Sequence, residues 1–331
     1  MTDTGKPRAI ALMSGGLDST LAARLVKDQG VEVIGLTLTS AFGCRSEVQK
    51  SAEQIGIRLR FKDKGKEYLD LLKNPHYGYG KNMNPCIDCR IDMFKITHSI
   101  MLEEAADFIV TGEVLGQRPM SQRRDAMDII DRDSGVRGLV LRPLSAHCME
   151  PTLPELKGWI DREKLLGIIG RGRHTQFELA QMLGITEYGT PGGGCLLTDA
   201  GFSSRLRDFF EFDNKEFRHE RSALLRYGRH FRLSGQTKVI VGRDDEENKA
   251  LALRWKDAGC TYFEPQNFPG PSAIAWGKVE EQERAVVGGM ILRYSKKHQT
   301  QAQIHFESEA GEGTVTVEHP LAEEQLSAYR I

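Results

Sequence analysis

Residues 11–20 read ALMSGGLDST, and they constrain the fold more than any other stretch of this chain. Ile10, Ala11, Leu12 and Met13 are an apolar run that predicts a short buried strand over Ala9–Met13. Ser14-Gly15-Gly16-Leu17-Asp18-Ser19 follows at once, and a helix is expected over Ser19–Gln29. A strand, a tight Gly-Gly turn and a helix N-terminus make an anion site. Backbone N–H groups point at the ligand, and the helix dipole favours negative charge. Gly15 and Gly16 let the backbone approach a phosphate closely, and Ser14 and Ser19 add hydroxyl donors. The string is not GxxxxGK[ST] and has no lysine, so it is not a Walker loop.

The alternation begun here continues. Strands are expected at Val31–Thr39, Leu59–Phe61, Phe108–Thr111 and Gly138–Leu141, with helices at Glu47–Ile55 and Pro85–Glu104. Strands alternating with helices predict an α/β fold with a doubly wound, mainly parallel sheet. Ligands then sit at the carboxyl ends of the strands, where Met13 and the Ser14 turn, Thr39, Gly112 and Arg142 all fall. From Pro151 to Gly194 the chain reads as helical, with short helices at Asp161–Ile169 and Gln176–Leu183 and a loop over Glu187–Gly194. Ser203–Phe210 is a further helix. A small α+β domain is expected from about Lys215, with strands at Thr237–Val241, Ala302–Ser308 and Gly313–Glu318 and helices at Glu246–Ala258 and Val279–Ser295. The expected organisation is a catalytic domain over 1–175, a helical connector carrying Cys195 over 176–214, and the α+β domain over 215–331.

At 331 residues two domains are the prior. A net charge of -1 gives no field that announces nucleic acid, so such a partner needs a local patch. Phe217 to Arg243 supplies one: Arg218, Arg221, Arg226, Arg229, Arg232, Lys238 and Arg243 are opposed within it only by Glu220. A solvated charged face is the alternative reading of the same residues. The start, MTDTGKPRAI, lacks the apolar core of a signal peptide, and no apolar run approaches membrane length, so a cytoplasmic protein with no membrane partner is expected.

A reducing compartment disfavours structural disulfides, which turns attention to how the six cysteines cluster. Cys86 and Cys89 form a CxxC in Asn84-Pro85-Cys86-Ile87-Asp88-Cys89-Arg90, at the opening of an expected helix. A helix N-terminus stabilises thiolate, and two such thiolates can bind a metal or exchange sulfur. Zinc sites often use two CxxC pairs, and only one stands here. Cys195, after Thr190-Pro191-Gly192-Gly193-Gly194, is a candidate third ligand, and three cysteines suit an iron–sulfur cluster with one labile iron. A thiol–disulfide pair or two small buried side chains remain open for the same CxxC. Cys44, Cys148 and Cys260 read as packing residues, with Cys44 and Cys148 in loops near strand ends.

The string SGGLDS resembles the PP-loop of the ATP pyrophosphatase superfamily, whose members split ATP between its α- and β-phosphates to adenylate a substrate. Asn84 to Cys89 resembles the NPxxxC region of tRNA 2-thiouridine synthases. Thr111-Gly112-Glu113-Val114-Leu115-Gly116-Gln117 with Ser121-Gln122 resembles the TGExLGQxxSQ stretch of tRNA 4-thiouridine synthases, and Arg142-Pro143-Leu144 matches their RPL element. Together these segments, over about Arg8 to Phe210, look like the RNA-thiolating branch. The resemblance implies that Gly15, Gly16, Asp18 and Ser19 hold ATP phosphates and magnesium, with Asp18 as the magnesium ligand. It implies that Arg90, Gly112 and Gln122 complete the nucleotide pocket, although Gln122 stands one residue late in the spacing. Cys86, Cys89 and Cys195 resemble the three-cysteine set of cluster-dependent enzymes, implying a [4Fe-4S] cluster; in cluster-free relatives Cys89 or Cys195 would carry a persulfide.

Gly228-Arg229-His230-Phe231 through Val241-Gly242-Arg243-Asp244, then Glu247-Asn248-Lys249, resembles the start of an NFACT-R domain, a module associated with RNA binding, with VGRD in place of VGRN. Arg229, Arg232 and Arg243 are its candidate RNA contacts. No THUMP domain fits before Arg8 and no rhodanese segment is evident, which leaves the sulfur donor open between free sulfide and a cysteine desulfurase or persulfide carrier. The expected function is ATP-dependent sulfur transfer to RNA, most directly a tRNA uridine, with homodimer formation left open. The competing expectations are a PP-loop amidating ligase, a small-molecule sulfurtransferase, and an RNA-binding protein that uses ATP only as a ligand.

Overall fold

Every strand pairing in the first half of the chain is parallel. The structure is a computed structural model that describes residues 6–42, 47–189, 195–213, 219–277, 279–296 and 301–331. Its first compact unit is Met1–Cys195 and its second Leu196–Ile331, so the division falls inside the stretch expected as a connector. The first unit runs β1 (Arg8–Leu12), α1 (Leu17–Lys27), β2 (Glu32–Thr39), α2 (Val48–Gln54), β3 (Arg58–Asp63), α3 (Glu67–Lys73), α4 (Cys86–Glu103), β4 (Phe108–Val110), α5 (Arg124–Asp133), β5 (Val140–Leu141), α6 (Leu153–Leu156) and α7 (His174–Met182).

The sheet order is β3-β2-β1-β4-β5. The chain leaves central β1 towards β2 and β3 on one side, and returns to β4 and β5 on the other. The crevice between the carboxyl ends of β1 and β4 is therefore the switch point at which open α/β sheets take ligands. Successive side chains of β1 face opposite ways. Ala9 and Ala11 pack with Leu21 and Val26 of α1 and Ala180 of α7. Ile10 and Leu12 pack with Phe94 of α4 and Ile130 of α5. Burial on both faces is why β1 reads as an unbroken apolar run.

One expected helix is absent. Asp161–Ile169 holds only a 3₁₀ turn at Arg162–Lys164, capped by Asp161, which accepts from the Glu163 N–H. Beyond it the backbone bonds run to another segment: Leu166 N–H donates to Pro143 and Ile168 N–H to Leu144. Those donors are lost to an i−4 ladder, so the apolar residues of 165–169 lie along the sheet end instead of on a helix face. The stretch 151–189 is likewise helical only at α6 and α7. Residues 190–194 and Cys44 lie outside the described residues.

The second unit contains α8 (Ala200–Phe212), α9 (His219–Leu224), β6 (Arg229–Arg232), β7 (Lys238–Val241), α10 (Asp245–Arg254), β8 (Thr261–Pro265), β9 (Ala273–Trp276), α11 (Glu281–Arg293), β10 (Ala302–Ser308), β11 (Gly311–Val317) and α12 (Glu323–Tyr329). Its strands form one antiparallel sheet in the order β11-β10-β8-β9-β7-β6. Val287 and Ile291 of α11 pack against Val239, Phe263 and Ile304 of that sheet. This is the small α+β fold expected. β6, β8 and β9 carry no clear alternation; all four residues of β9 are buried, so its periodicity cannot be told from that of any short apolar run.

Candidate nucleotide and thiol site

The turn after β1 stands open as an anion cradle. Ser19 Oγ donates to the Gly16 carbonyl at 2.9 Å, lies 3.2 Å from Ser14 Oγ, and accepts the Ser14 N–H at 3.2 Å. Gly16 caps α1 without a side-chain cap, so the first-turn N–H groups of the helix are left for a ligand. Gly15 has φ +70°, and a Cβ there would sit 2.8 Å from the Val48 nitrogen of α2. Gly112, after β4, is needed for close approach: a Cβ would lie 2.4 Å from the Asp18 carbonyl carbon. The two loops at the switch point thus pack backbone to backbone.

Between them is a cavity of about 300 Å³. Of the residues expected to bind nucleotide, Met13, Ser14, Gly16, Asp18, Ser19, Arg90, Gly112 and Gln122 line it. Gly15 shapes the turn from behind. Thr39 does not line the cavity; its hydroxyl donates to Asp63 at 3.0 Å, across the β2–β3 pair. Arg142 does not line it either, because its guanidinium is spent on ion pairs beneath the floor.

That floor is a chain of charges. Arg142 Nε donates to Glu113 at 2.9 Å, and its two terminal nitrogens donate to Asp131 at 2.8 and 2.7 Å. Glu113 in turn pairs with Arg90 at 3.4 Å, and both Glu113 and Arg90 line the cavity. Burial pushes the Glu113 carboxyl up, but Arg90 and Arg142 overcome it and hold the group below its ordinary value. At Asp131 burial wins, and the carboxyl is raised despite its bonds to Arg142. Arg142 is a strut that fixes Glu113, and through it Arg90.

Asp18 has a second set of partners that the motifs do not reveal. Its Oδ2 accepts from Gln117 at 2.7 Å and lies 3.8 Å from Arg173 Nε. Its Oδ1 is buried with no hydrogen-bond partner among the described residues, as is Gln122 Oε1 in the same cavity. Buried acceptors without partners are places for a ligand's donors or a cation. Gln117, Glu113, Arg118 and Arg173 complete the wall. Glu113 and Gln117 stood inside the TGEVLGQ stretch; nothing in the sequence signalled Arg173.

Cys86 and Cys89 occupy the first turn of α4, immediately before Arg90. Burial and the neighbouring Cys89 push the Cys86 thiol up, while Asn84, Arg90 and Arg118 pull it back. Arg90 and Arg118 therefore act on the cavity and on the thiol together. Cys89 Sγ accepts from Lys64 Nζ at 3.3 Å and lies 3.5 Å from the Tyr68 hydroxyl. Lys64 also pairs with Asp92 and sits 3.9 Å over the Tyr68 ring. The Tyr68 phenol is raised well above its ordinary value by burial, then by Cys89 and more weakly by Cys195. Cys195 is exposed. Among the described residues no three His, Cys, Asp or Glu side chains are gathered as a metal site. Cys148 donates to the Gly167 carbonyl and does not line the cavity; Cys260, in the second unit, donates to the Ala258 carbonyl.

In the second unit the basic stretch is largely spent inside the fold. Lys238 is fully buried and donates to Asp208 at 2.6 Å. Arg232 donates to Asp208 at 2.9 and 2.7 Å and to Asp213 at 3.2 Å, and its side chain is 12% exposed. Trp276 Nε1 donates to Asp213 at 2.7 Å. Arg232 is thus a structural cation; Asp208 and Asp213 precede the stretch in sequence and were not counted against it. Arg221 is also buried, donating to the Ala258 carbonyl. Arg229 lies 4.3 Å over the Tyr294 ring and donates to the Gly242 carbonyl. Arg243 is exposed and paired with Glu247, and Arg226 is exposed. Arg218 lies outside the described residues.

Comparison with known proteins agrees with this anatomy. Residues 4–150 match the family described as thiamine biosynthesis protein (ThiI), and residues 228–330 match the NFACT protein RNA binding domain. The tRNA-specific 2-thiouridylases MnmA of Streptococcus mutans serotype c and Streptococcus pyogenes serotype M49 are each 35% identical over 127 residues, 34% of this chain and 34% of the relative. The matched stretch spans about a third of the length of these relatives. A 4-thiouridine synthetase solved with RNA and bound ATP aligns over 54% of this chain and 50% of its own, at 20% identity and a TM-score of 0.34. Residues 4–150 are thus similar to the ThiI family and to part of the tRNA-specific 2-thiouridylases, and residues 228–330 to the NFACT RNA binding domain.

Proposed function

We propose that the protein is an ATP-dependent sulfurtransferase that thiolates RNA, with a tRNA uridine as acceptor, in the cytoplasm. One observation carries this reading. Cys86, Cys89 and Arg90 share one helix end, and Arg90 lines the cavity onto which the Ser14 turn opens. Nucleotide and thiol chemistry meet there, whereas an amidating ligase needs the anion turn but no thiols. The relatives' designation as tRNA-specific 2-thiouridylases and the match to an RNA binding domain support RNA as the acceptor.

The chemistry follows from the leaving group. A uridine carbonyl oxygen leaves poorly as it stands. In this reading that oxygen attacks the α-phosphorus of ATP, pyrophosphate departs, and the oxygen leaves as AMP when sulfur attacks the same carbon. The N-terminus of α1 and the Ser14 and Ser19 hydroxyls bind phosphate oxygens. The partnerless Oδ1 of Asp18 suits a magnesium ion, which would neutralise pyrophosphate charge. The target base has to be unstacked to reach the cavity.

Cys86, Cys89 and Cys195 are the residues that would hold a [4Fe-4S] cluster. Three thiolates are suitable donors and leave one iron open, while the described side chains are not gathered round a metal position. Such a group would supply an iron at which sulfide can bind. Without it, Cys89 or Cys195 serves as a persulfide carrier. Free sulfide serves only the cluster route, whereas a persulfide on Cys89 or Cys195 takes its outer sulfur by transfer from a persulfide-carrying donor such as a cysteine desulfurase, whose thiol is the leaving group.

The test is nucleoside mass spectrometry of tRNA from strains with and without the gene. Loss of one thionucleoside, restored by wild type and not by Cys89→Ser, is expected. An unchanged profile, with no RNA-stimulated release of AMP and pyrophosphate by the purified protein, would overturn the reading. Iron and acid-labile sulfide in anaerobically purified protein, lost in Cys86→Ser, distinguish a cluster from a persulfide.

A further inference from the structure

We propose that Arg173 is a catalytic residue that binds the pyrophosphate leaving group as the α–β bond of ATP breaks. The inference rests on the reading of the cavity as the ATP site. Arg173 belongs to no motif and lies beyond the residues that match the ThiI family.

Two ties bring it to the wall. Gly170 N–H donates to the Leu115 carbonyl at 2.8 Å, in a parallel bridge between Leu115 and Ile169, which fastens the segment to the TGEVLGQ loop. Just beyond Arg173, α7 packs its Ala180 into the same core as Leu21 of α1. Arg173 then lines the cavity with Nε 3.8 Å from Asp18, in the first turn of α1 where phosphates are received. Buried Gln176 of α7 donates to Gln117 at 3.1 Å, and Gln117 donates to Asp18. One helix end thus supplies a cation and also braces the carboxylate beside it.

Arg173 is not committed to that carboxylate. Its Nε is buried, yet has no hydrogen-bond partner among the described residues, and 3.8 Å is longer than a charge-assisted bond. Arg142, by contrast, is bonded through all three of its nitrogens. A guanidinium fork matches phosphate oxygens, so an arriving triphosphate offers Arg173 better partners than it has at rest.

The acceptor carbonyl oxygen forms a bond to the α-phosphorus. The bond from that phosphorus to the α–β bridging oxygen breaks, and its electron pair goes to pyrophosphate. The proton on the ring nitrogen beside the carbonyl passes to water. Negative charge grows on the leaving pyrophosphate, and a donor fixed beside it stabilises the transition state more than bound ATP.

The experiment uses the full chain with tRNA. Affinities for ATP and for AMP are measured by calorimetry, and pyrophosphate release is timed, for wild type, Arg173→Ala, Arg173→Gln and Arg173→Lys. AMP lacks the phosphates that Arg173 is assigned to bind. Arg173→Ala is expected to leave AMP affinity within about twofold, erase most of the preference for ATP, and slow pyrophosphate release about 100-fold, the scale of removing one fixed donor. Arg173→Lys should recover part of the rate. If the alanine variant does not fold, the glutamine variant carries the same comparison. An intact ATP preference with release within about threefold of wild type would overturn the assignment. So would a parallel loss of AMP affinity, which marks a structural role. Failure of the wild-type chain to bind either nucleotide would overturn the site itself, and is seen before any substitution.

Discussion

Gly189 donates its backbone N–H to the carbonyl of Gly15 at 2.7 Å, within a short parallel bridge between Gly16 and Gly189. Ser51 Oγ reinforces the join, donating to the Glu187 carbonyl at 3.0 Å and lying 3.4 Å from that of Gly15. Residues 187–189, far along the chain, are thereby stitched to the back of the Ser14 turn. Gly189→Pro removes the donor. One net hydrogen bond of about 1 kcal/mol predicts ATP binding weakened about fivefold by calorimetry. Unchanged affinity would mean that the turn holds its shape alone.

Glu113→Gln leaves Arg142 buried with half its compensation and Arg90 without an anchor. Breaking a buried pair costs about 3–5 kcal/mol, so a marked fall in the thermal midpoint is expected, with a raised KM for ATP. The pH dependence has a definite sign. The folded carboxyl lies below its unfolded value, so its stabilisation is complete above the unfolded pKa and is lost as pH falls through the folded one. The stability gap between wild type and variant should be full near neutrality and should close in the acid range, below about pH 4.

Arg232 and Arg243 of the basic stretch should separate cleanly. Arg232→Ala opens a buried network with Asp208 and Asp213 and should destabilise the second unit. Arg243→Glu alters an exposed side chain and should keep the fold while lowering RNA affinity. It should also reduce the slope of log K against log salt by about 1 if that side chain meets a phosphate. Filter binding across a salt series, alongside thermal melts, reads both. A folded Arg243→Glu with unchanged affinity would remove that residue from the interface.

Lys238 makes an alkaline prediction. Burial drives its ammonium down to about 8, against the attraction of Asp208. The unfolded chain therefore holds this proton where the folded chain has lost it, and stability should rise with pH from about 8 towards the ordinary lysine range. Lys238→Met should lose that slope. Denaturant unfolding followed by the fluorescence of Trp255 and Trp276 at a series of pH values would show it; equal slopes in the two proteins would refute the assignment.

Much of this molecule is legible in its residues. The strand–turn–helix at Ser14, the β–α alternation and the CxxC opening α4 are local patterns, in which neighbours in sequence are neighbours in space. Hydrogen bonding and burial then act over a few residues, and the parallel sheet, the anion turn and the thiol pair follow. What these patterns could not disclose is which side chains spend their charge on distant partners. Arg142 and Arg232 read as ligand-binding cations, yet Asp131 and the Asp208–Asp213 pair, from other elements, take them up. Arg173 and Lys64 carry no motif, and only the packing of α7 on α1 and the end of β3 bring them to Asp18 and Cys89. Local sequence determined the chemistry this chain can offer. The tertiary structure decided which of its charges remain for a ligand, because a buried ion must first be neutralised by whatever the fold places beside it.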